Sequence, residues 1–204
     1  MKQSVNIAVF VSGGGTNLQA LIDAQKSGII KSGEIKLVLS NKRDVYALQR
    51  AEQANIPTAV VVKKEEGSQE AFEKKIMDIV DNNGIDIIVL AGFLAILSEK
   101  FTSHYQKRII NVHPSLIPSF CGEGYYGLKV HEAALNYGVK VTGATVHFVN
   151  EIPDGGEIIM QKAVEIKEGD TPEILQRRVM EEAEWIILPA ACEKVCKSIL
   201  EESI

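Results

Sequence analysis

The chain has 204 residues, 46% of them hydrophobic and 24% charged, with a formal net charge of -5. That length allows one substantial core or two small domains, and the acidic balance argues against a general nucleic-acid binder, which would present a basic face. Three cysteines (Cys121, Cys192, Cys196) are too few and scattered for a disulfide framework, and no stretch approaches the roughly 18 apolar residues of a membrane span.

Met1 leads almost directly into an apolar run, without the sections of a secretory leader, so the cytoplasm is the expected location. Val5 to Val11 is nearly continuous in apolar residues, the pattern of a central parallel strand buried on both faces. It breaks at Ser12-Gly13-Gly14-Gly15-Thr16-Asn17, and a helix follows with Leu18, Leu21 and Ile22 on one face. A strand over Ile35–Ser40, a helix from about Asp44 to Ala54 and a strand over Thr58–Val62 come next. Lys63 to Ser68 is charged and reads as a surface loop. Ala71, Ile76, Ile79 and Val80 mark a helix that stops at Asn83-Gly84, and Ile85–Leu90 is a fourth buried strand. Ala91 to Leu97 and a short helix precede a strand ending in Ile109-Ile110-Asn111-Val112-His113-Pro114. This alternation predicts a single doubly wound α/β domain over 1–204.

The pattern changes after Pro118. Ser119 to Gly127 is a glycine- and aromatic-rich loop, and Leu128–Asn136 is a helix. Val139–Val149 and Glu157–Ile166 read as antiparallel neighbours. A final helix opens with Thr171 as cap and Pro172 in the first turn, with Leu175, Val179, Ala183, Ile186, Ile187 and Ala190 predicted on its apolar face.

Three loops carry chemistry. In a strand, residues two apart share a face, so Asn111 and His113 stand together where Pro114 ends the ladder. An amide beside an imidazole can hold an oxyanion formed by attack on a carbonyl. Ser12 to Asn17 can present backbone N–H groups and a helix N-terminus to an anion. It lacks the third glycine of a dinucleotide fingerprint and the lysine of a Walker loop, which leaves a cradle for a single phosphate with Thr16 and Asn17 assisting. A tight turn without a ligand would use the same residues; three consecutive glycines favour the anion. Asp154-Gly155-Gly156 is either a plain turn or a loop that brings Asp154 to His113, where its charge is expected to raise the histidine pKa. Of the other histidines, His147 follows Thr145 in a strand and reads first as a core or face residue, with a direction toward the same region as the alternative; His131 lies on a helix, and His104 lies on a surface helix. Cys192 and Cys196, one helical turn apart, are expected to pack, and no ligand pair has compact metal spacing.

Read together, VSGGGTNLQALID (11–23), LSNK (39–42), VLAGFLAILS (89–98), IINVHPSLIPSF (109–120), GATVHFV (143–149) and DGG (154–156) make the chain resemble glycinamide ribonucleotide formyltransferases, nearly end to end. The N-x-H-P-S-L-x-P element is shared by several enzymes acting on 10-formyltetrahydrofolate; the glycine loop selects the ribonucleotide enzyme. The resemblance implies a Rossmann-like formyltransferase domain with an antiparallel C-terminal extension. Its half at about 1–108 binds phosphate, and its half at about 109–204 carries catalysis and the folate site. It implies transfer of the formyl group of 10-formyltetrahydrofolate to the amine of 5'-phosphoribosylglycinamide in purine synthesis, with no metal. On that mapping Gly14, Gly15, Thr16 and Asn17 hold the phosphate and Glu184 the ribose hydroxyls. Gln69, Phe93, Leu94, Ala95, Ile96, Leu97, Asn111, Val149, Asn150 and Asp154 contact the folate, and Asn111, His113 and Asp154 are catalytic. The expected partners are the two small molecules, with no nucleic acid or membrane, in a monomer or homodimer. In two respects the chain departs from better-known bacterial members: Gln69 and Ala95 stand where those carry arginines near the folate, and the segment 120–126 is longer. A deformylase would carry an N-terminal regulatory domain and a methionyl-tRNA formyltransferase a C-terminal one, which this length is not expected to hold. A non-catalytic sensor would not need all three of Asn111, His113 and Asp154.

Overall fold

The computed structural model describes residues 3–202. A seven-stranded sheet runs through it: β1 (Val5–Val11), β2 (Gly33–Ser40), β3 (Thr58–Val60), β4 (Ile87–Leu90), β5 (Ile109–His113), β6 (Val141–Phe148) and β7 (Ile158–Glu165), in the spatial order β3-β2-β1-β4-β5-β6-β7. Strands β1 to β5 pair in parallel, whereas β5–β6 and β6–β7 are antiparallel. This is the expected α/β architecture with its antiparallel extension.

The apolar run of β1 has a simple cause. Val5, Ile7, Val9 and Val11 point into one core, with Leu18 and Leu21 of α1 (Thr16–Lys26). Ala8 and Phe10 point into the other, with Phe72 and Ile76 of α4 (Gln69–Asn82) and Phe101 of α5 (Glu99–His104). Both faces are covered, so the period-two alternation inside the strand carries no polar side. Between β1 and α4 come α2 (Tyr46–Gln53) and α3 (Lys63–Glu66). The segment expected as a loop over 63–68 thus contains a helical turn, and Ser68 then caps α4 by accepting from the Ala71 N–H at 3.0 Å. The third strand ends at Val60, two residues short of its expected limit.

After β5, α6 (Leu128–Tyr137) leads to the β6–β7 hairpin, and then α7 (Pro172–Val179) and α8 (Trp185–Glu202) follow. The last two are joined by a π turn, Met180–Glu184. A π turn holds one more residue than an α turn, so it rotates everything after it by about 100°. That corrects the expected apolar face. Leu175, Val179 and Ala183 are buried, but Ile186 is 49% exposed and Ala190 only partly covered, while Ile187, Leu188, Ala191, Cys192, Val195, Cys196 and Ile199 face the core. Cys192 and Cys196 pack there as free thiols.

The strand order reverses direction between β1 and β4, and at such a point the carboxyl ends of the strands open a crevice. The glycine turn after β1 and the segment after β4 meet there: the Leu94 N–H donates to Ser12 Oγ at 2.8 Å. Strand β5, which carries Asn111 and His113, lies parallel to β4, so its carboxyl end opens onto the same edge.

Candidate active site

The glycine turn reaches α1 through Gly15, which sits at φ 73° as the helix N-cap. A Cβ there would lie 2.7 Å from the Ala47 Cβ, so both conformation and space select glycine. Gly13 and Gly14 face open space instead. No side chain caps α1, so its first N–H groups are left for an anion. The Arg50 guanidinium adds positive charge to the turn: its Nε donates to the Gly14 carbonyl at 2.9 Å and its Nη1 to Gln19 at 3.0 Å. Arg50 lies on α2, far along the chain, and no local sequence signal points to it.

Asn17, expected to assist a phosphate, turns its side chain elsewhere. Its Nδ2 donates to Glu184 Oε2 at 2.6 Å, and its Oδ1 is buried without a partner. Glu184 reaches this place because it closes the π turn, and it is only 6% exposed. Burial pushes its pKa up to about 7, against the opposing pull of Asn17. Thr16 Oγ1 faces the Met180 sulfur at 3.8 Å.

At the end of β5 the structure brings four polar side chains together. Asn111 and His113 project from the strand, and antiparallel pairing sets Asn111 opposite His147 and His113 opposite Thr145. Asn111 Nδ2 lies 3.2 Å from His147 Nε2. His147 Nδ1 lies 2.8 Å from the Phe148 carbonyl, where it must be the donor. A neutral ring then leaves Nε2 to accept from Asn111, and the second N–H of that amide stays directed elsewhere. His147, read from sequence as a core or face residue, is both: it is 2% exposed and touches the cluster. The signal for it was the alternation of Thr145 and His147, but only the β5–β6 register says which strand end they meet. Thr145 fixes the loop after the strand, donating to the Ser115 carbonyl at 2.7 Å and accepting from the Ile117 N–H at 3.1 Å.

Asp154 arrives from the β6–β7 connection at φ 56°, a conformation that aspartate tolerates. Gly156 follows because a Cβ there would collide with the Phe148 carbonyl. Asp154 Oδ2 lies 3.4 Å from His113 Nδ1, and Oδ1 lies 3.6 Å from His147 Nε2. The Gly122 N–H donates to Oδ2 at 2.9 Å, tying the acid to the aromatic loop. Burial raises the acid's pKa, but His147, His113 and Gly122 together hold it below the usual value.

For His113 the balance runs against expectation. Asp154 and the Phe120 carbonyl both favour its charged form, yet burial has the larger effect, and its pKa lies below that of a free histidine. The ring is 4% exposed, so water contributes little to a charge there. Its Nε2 donates to the Phe120 carbonyl at 2.9 Å. Behind it, His131 on α6 is fully buried with neither ring nitrogen partnered, and its pKa is lowered to about 4 by burial and then by His113. His104 is exposed at the end of α5.

A cleft of about 490 Å³ opens over this cluster. Asn111, His113 and Asp154 line it, as do Phe93, Leu94, Ala95 and Ile96. The remaining donor-site expectations fall around it. Leu97 is 9% exposed in the core, and Val149 packs against the same core. Asn150 accepts from the Ile152 N–H at 3.0 Å, and Gln69 donates to the Ile96 carbonyl at 3.0 Å, bracing the wall from behind. Among the described residues no group of three or more histidine, cysteine or acidic side chains is placed to hold a metal ion.

The sequence profile described as "Formyl transferase" matches residues 5–191. The chain belongs to the formyl transferase family. It is 43% identical over 175 residues to the phosphoribosylglycinamide formyltransferase of Escherichia coli K12, covering 86% of this chain and 80% of that one. It is 44% identical over 200 residues to the human trifunctional purine biosynthetic protein adenosine-3, covering 98% of this chain but only 19% of that protein. Among solved structures, glycinamide ribonucleotide transformylase 1 of Symbiobacterium toebii superposes with a TM-score of 0.90 at 37% identity, covering 97% of this chain and 90% of that one. No helix among the described residues is long and apolar enough to cross a membrane.

Proposed function

We propose that this formyltransferase moves the formyl group of 10-formyltetrahydrofolate to the amine of 5'-phosphoribosylglycinamide, leaving tetrahydrofolate and the N-formyl product. The observation that carries this reading is the shared edge: an uncapped glycine turn with Arg50 beside it and an amide–imidazole–carboxylate cluster open on the same side of one sheet. On this reading Gly14, Gly15 and Thr16 cradle the phosphate through their backbone. Asn17 acts through Glu184, whose carboxylate takes the ribose hydroxyls. The donor enters along Phe93–Ile96. We assign the chain as one unit, with the phosphate site in about 1–108 and the catalytic strand in about 109–204, working in the cytoplasm on small molecules.

The chemistry follows from the geometry. The substrate amine attacks the formyl carbon, and negative charge develops on the formyl oxygen. The free N–H of Asn111 and the Nε2–H of His113, handed over from the Phe120 carbonyl, would receive that charge. Each such donor is worth roughly 3 kcal/mol in an enclosed site. Asp154 sits behind Nδ1, so it favours the ring's positive charge as the oxygen takes up negative charge. The attacking nitrogen must lose a proton and N10 of the folate must gain one, a transfer that Asp154 would assist through a water. Holding both molecules on one edge supplies the proximity term.

The test is direct. Incubation with 10-formyltetrahydrofolate should release tetrahydrofolate only when 5'-phosphoribosylglycinamide is also present. Release without the ribonucleotide would make the protein a hydrolase of the donor, and no release in either case would leave a binding protein.

A further inference from the structure

We propose that Tyr125 and Tyr126, with Lys129 behind them, form a second wall of the donor cleft and set a preference for a donor bearing an acidic tail. The proposal rests on the formyl-donor reading above. Leu94, Ile96, Tyr125 and Tyr126 are exposed by 56%, 75%, 38% and 51%, and all four line the cleft over the imidazole–carboxylate cluster. Large apolar side chains left in water around a single opening are the mark of a surface awaiting a ligand. A flat aromatic ring lying between the Leu94–Ile96 side and the tyrosine side would cover both at once. The donor has such a ring, the aminobenzoyl group, between its pteridine and its glutamate tail.

The tyrosine wall is built rather than loose. The Phe120 ring packs against Tyr125 at 6.4 Å and Tyr137 at 5.9 Å between centroids. The Lys129 ammonium stands 4.6 Å from the Tyr126 ring centroid and 3.2 Å from its hydroxyl. Among the described residues lining the cleft there is neither lysine nor arginine. On the facing side, the Gln69 amide is engaged by Glu73 and the Ile96 carbonyl. Lys129, itself exposed, is therefore a cation fixed to a lining residue, within reach of the carboxylates of a tail that leaves the cleft past Tyr126.

Calorimetric titration of tetrahydrofolate and of tetrahydropteroate, which lacks the glutamate, tests this in the wild type, Lys129→Gln, Tyr126→Phe and Tyr126→Ala. Lys129→Gln should weaken tetrahydrofolate about fivefold, the scale of one exposed ion pair, and leave tetrahydropteroate unchanged. High salt should erase that difference. Tyr126→Ala should weaken both ligands by about tenfold, and Tyr126→Phe should restore tetrahydropteroate. Unchanged tetrahydrofolate affinity in Lys129→Gln, or an equal loss for both ligands, overturns the proposal, as does a wild type that binds neither. A wild type that binds both yet transfers no formyl group overturns the functional reading alone, because the wall is judged by binding.

Discussion

The two ends of the proposed site are built in opposite ways. The anion cradle is almost wholly local: a strand, a glycine turn and the start of α1, all within 5–26. The imidazole–carboxylate cluster is assembled from β5, β6, the β6–β7 connection and the aromatic loop, with Asp154 41 residues beyond His113 in sequence. Backbone N–H groups in the cradle need no titration, whereas in the cluster burial acts on the ionisation of His113 and Asp154. The difference teaches where each part is vulnerable: the cradle to added bulk, the cluster to changed charge.

The largest effect should come from the charge at the centre of the cluster. Asp154→Asn keeps the size of the side chain and an oxygen for the Gly122 N–H but removes the countercharge to His113. The kcat should fall on the order of a hundredfold or more, with modest change in either KM, because the lost interaction belongs to the transition state. The His113 pKa, already lowered by burial, should drop further in an NMR titration. If both quantities hold at their wild-type values, Asp154 is a turn residue.

Glu184 stands beside the cradle through Asn17, and its burial should be read in stability. Its folded-state pKa is raised from 4.5 to about 7. A raised pKa means a contribution fully present below the unfolded value and lost as pH rises through the folded one. Between pH about 4 and about 8 the wild type should therefore lose about 3 kcal/mol that Glu184→Gln does not lose. Urea unfolding of both proteins at the two pH values reads this out, and parallel pH dependence would contradict the burial account.

Third in size is the cradle. Gly15→Val would strain φ 73° and strike Ala47, so it confuses folding with binding. A Cβ at Gly14 would meet no atom within 4 Å, so Gly14→Val grows from open space in front of the turn. It should raise the ribonucleotide KM by roughly tenfold or more, as the loss of a few amide contacts to phosphate implies, while leaving the donor KM and the melting temperature close to wild type. Equal rises in both KM values would make the turn structural.

The same contrast explains what the sequence could disclose. The strands, their order of appearance, the glycine turn and the Asn111–His113 pair are written in contiguous residues and periodicity. Arg50 and His147 are not, because each meets the site through pairing across the sheet or between helices. The exposed Ile186 was hidden for another reason: a π turn breaks the helical period, and Ala183, Glu184 and Ile187 read equally well as an unbroken helix. At His113 the carboxylate acts in the expected direction, but the net shift is downward, because the depth of burial opposing it is a property of the whole fold.

The smallest expected effect sharpens the comparison most, because it concerns the member of the cluster to which the sequence assigned no role. His147 touches Asn111 at 3.2 Å and stands 3.6 Å from Asp154, so it bears on both neighbours of His113 without lining the cleft itself. As the acceptor from Asn111, it fixes the rotation of that amide and so the direction of the remaining N–H. His147→Gln retains an acceptor but loses the ring that holds it in place. The net loss should be about one ordinary hydrogen bond, a fall in kcat of about fivefold. The KM values should stay near wild type, since the phosphate cradle and the donor wall are untouched. The double variant with Asn111→Ala tells positioning from independent action. If His147 works through the amide, the double variant should be no slower than Asn111→Ala alone. A further fivefold loss in the double variant would mean that His147 acts through Asp154 instead.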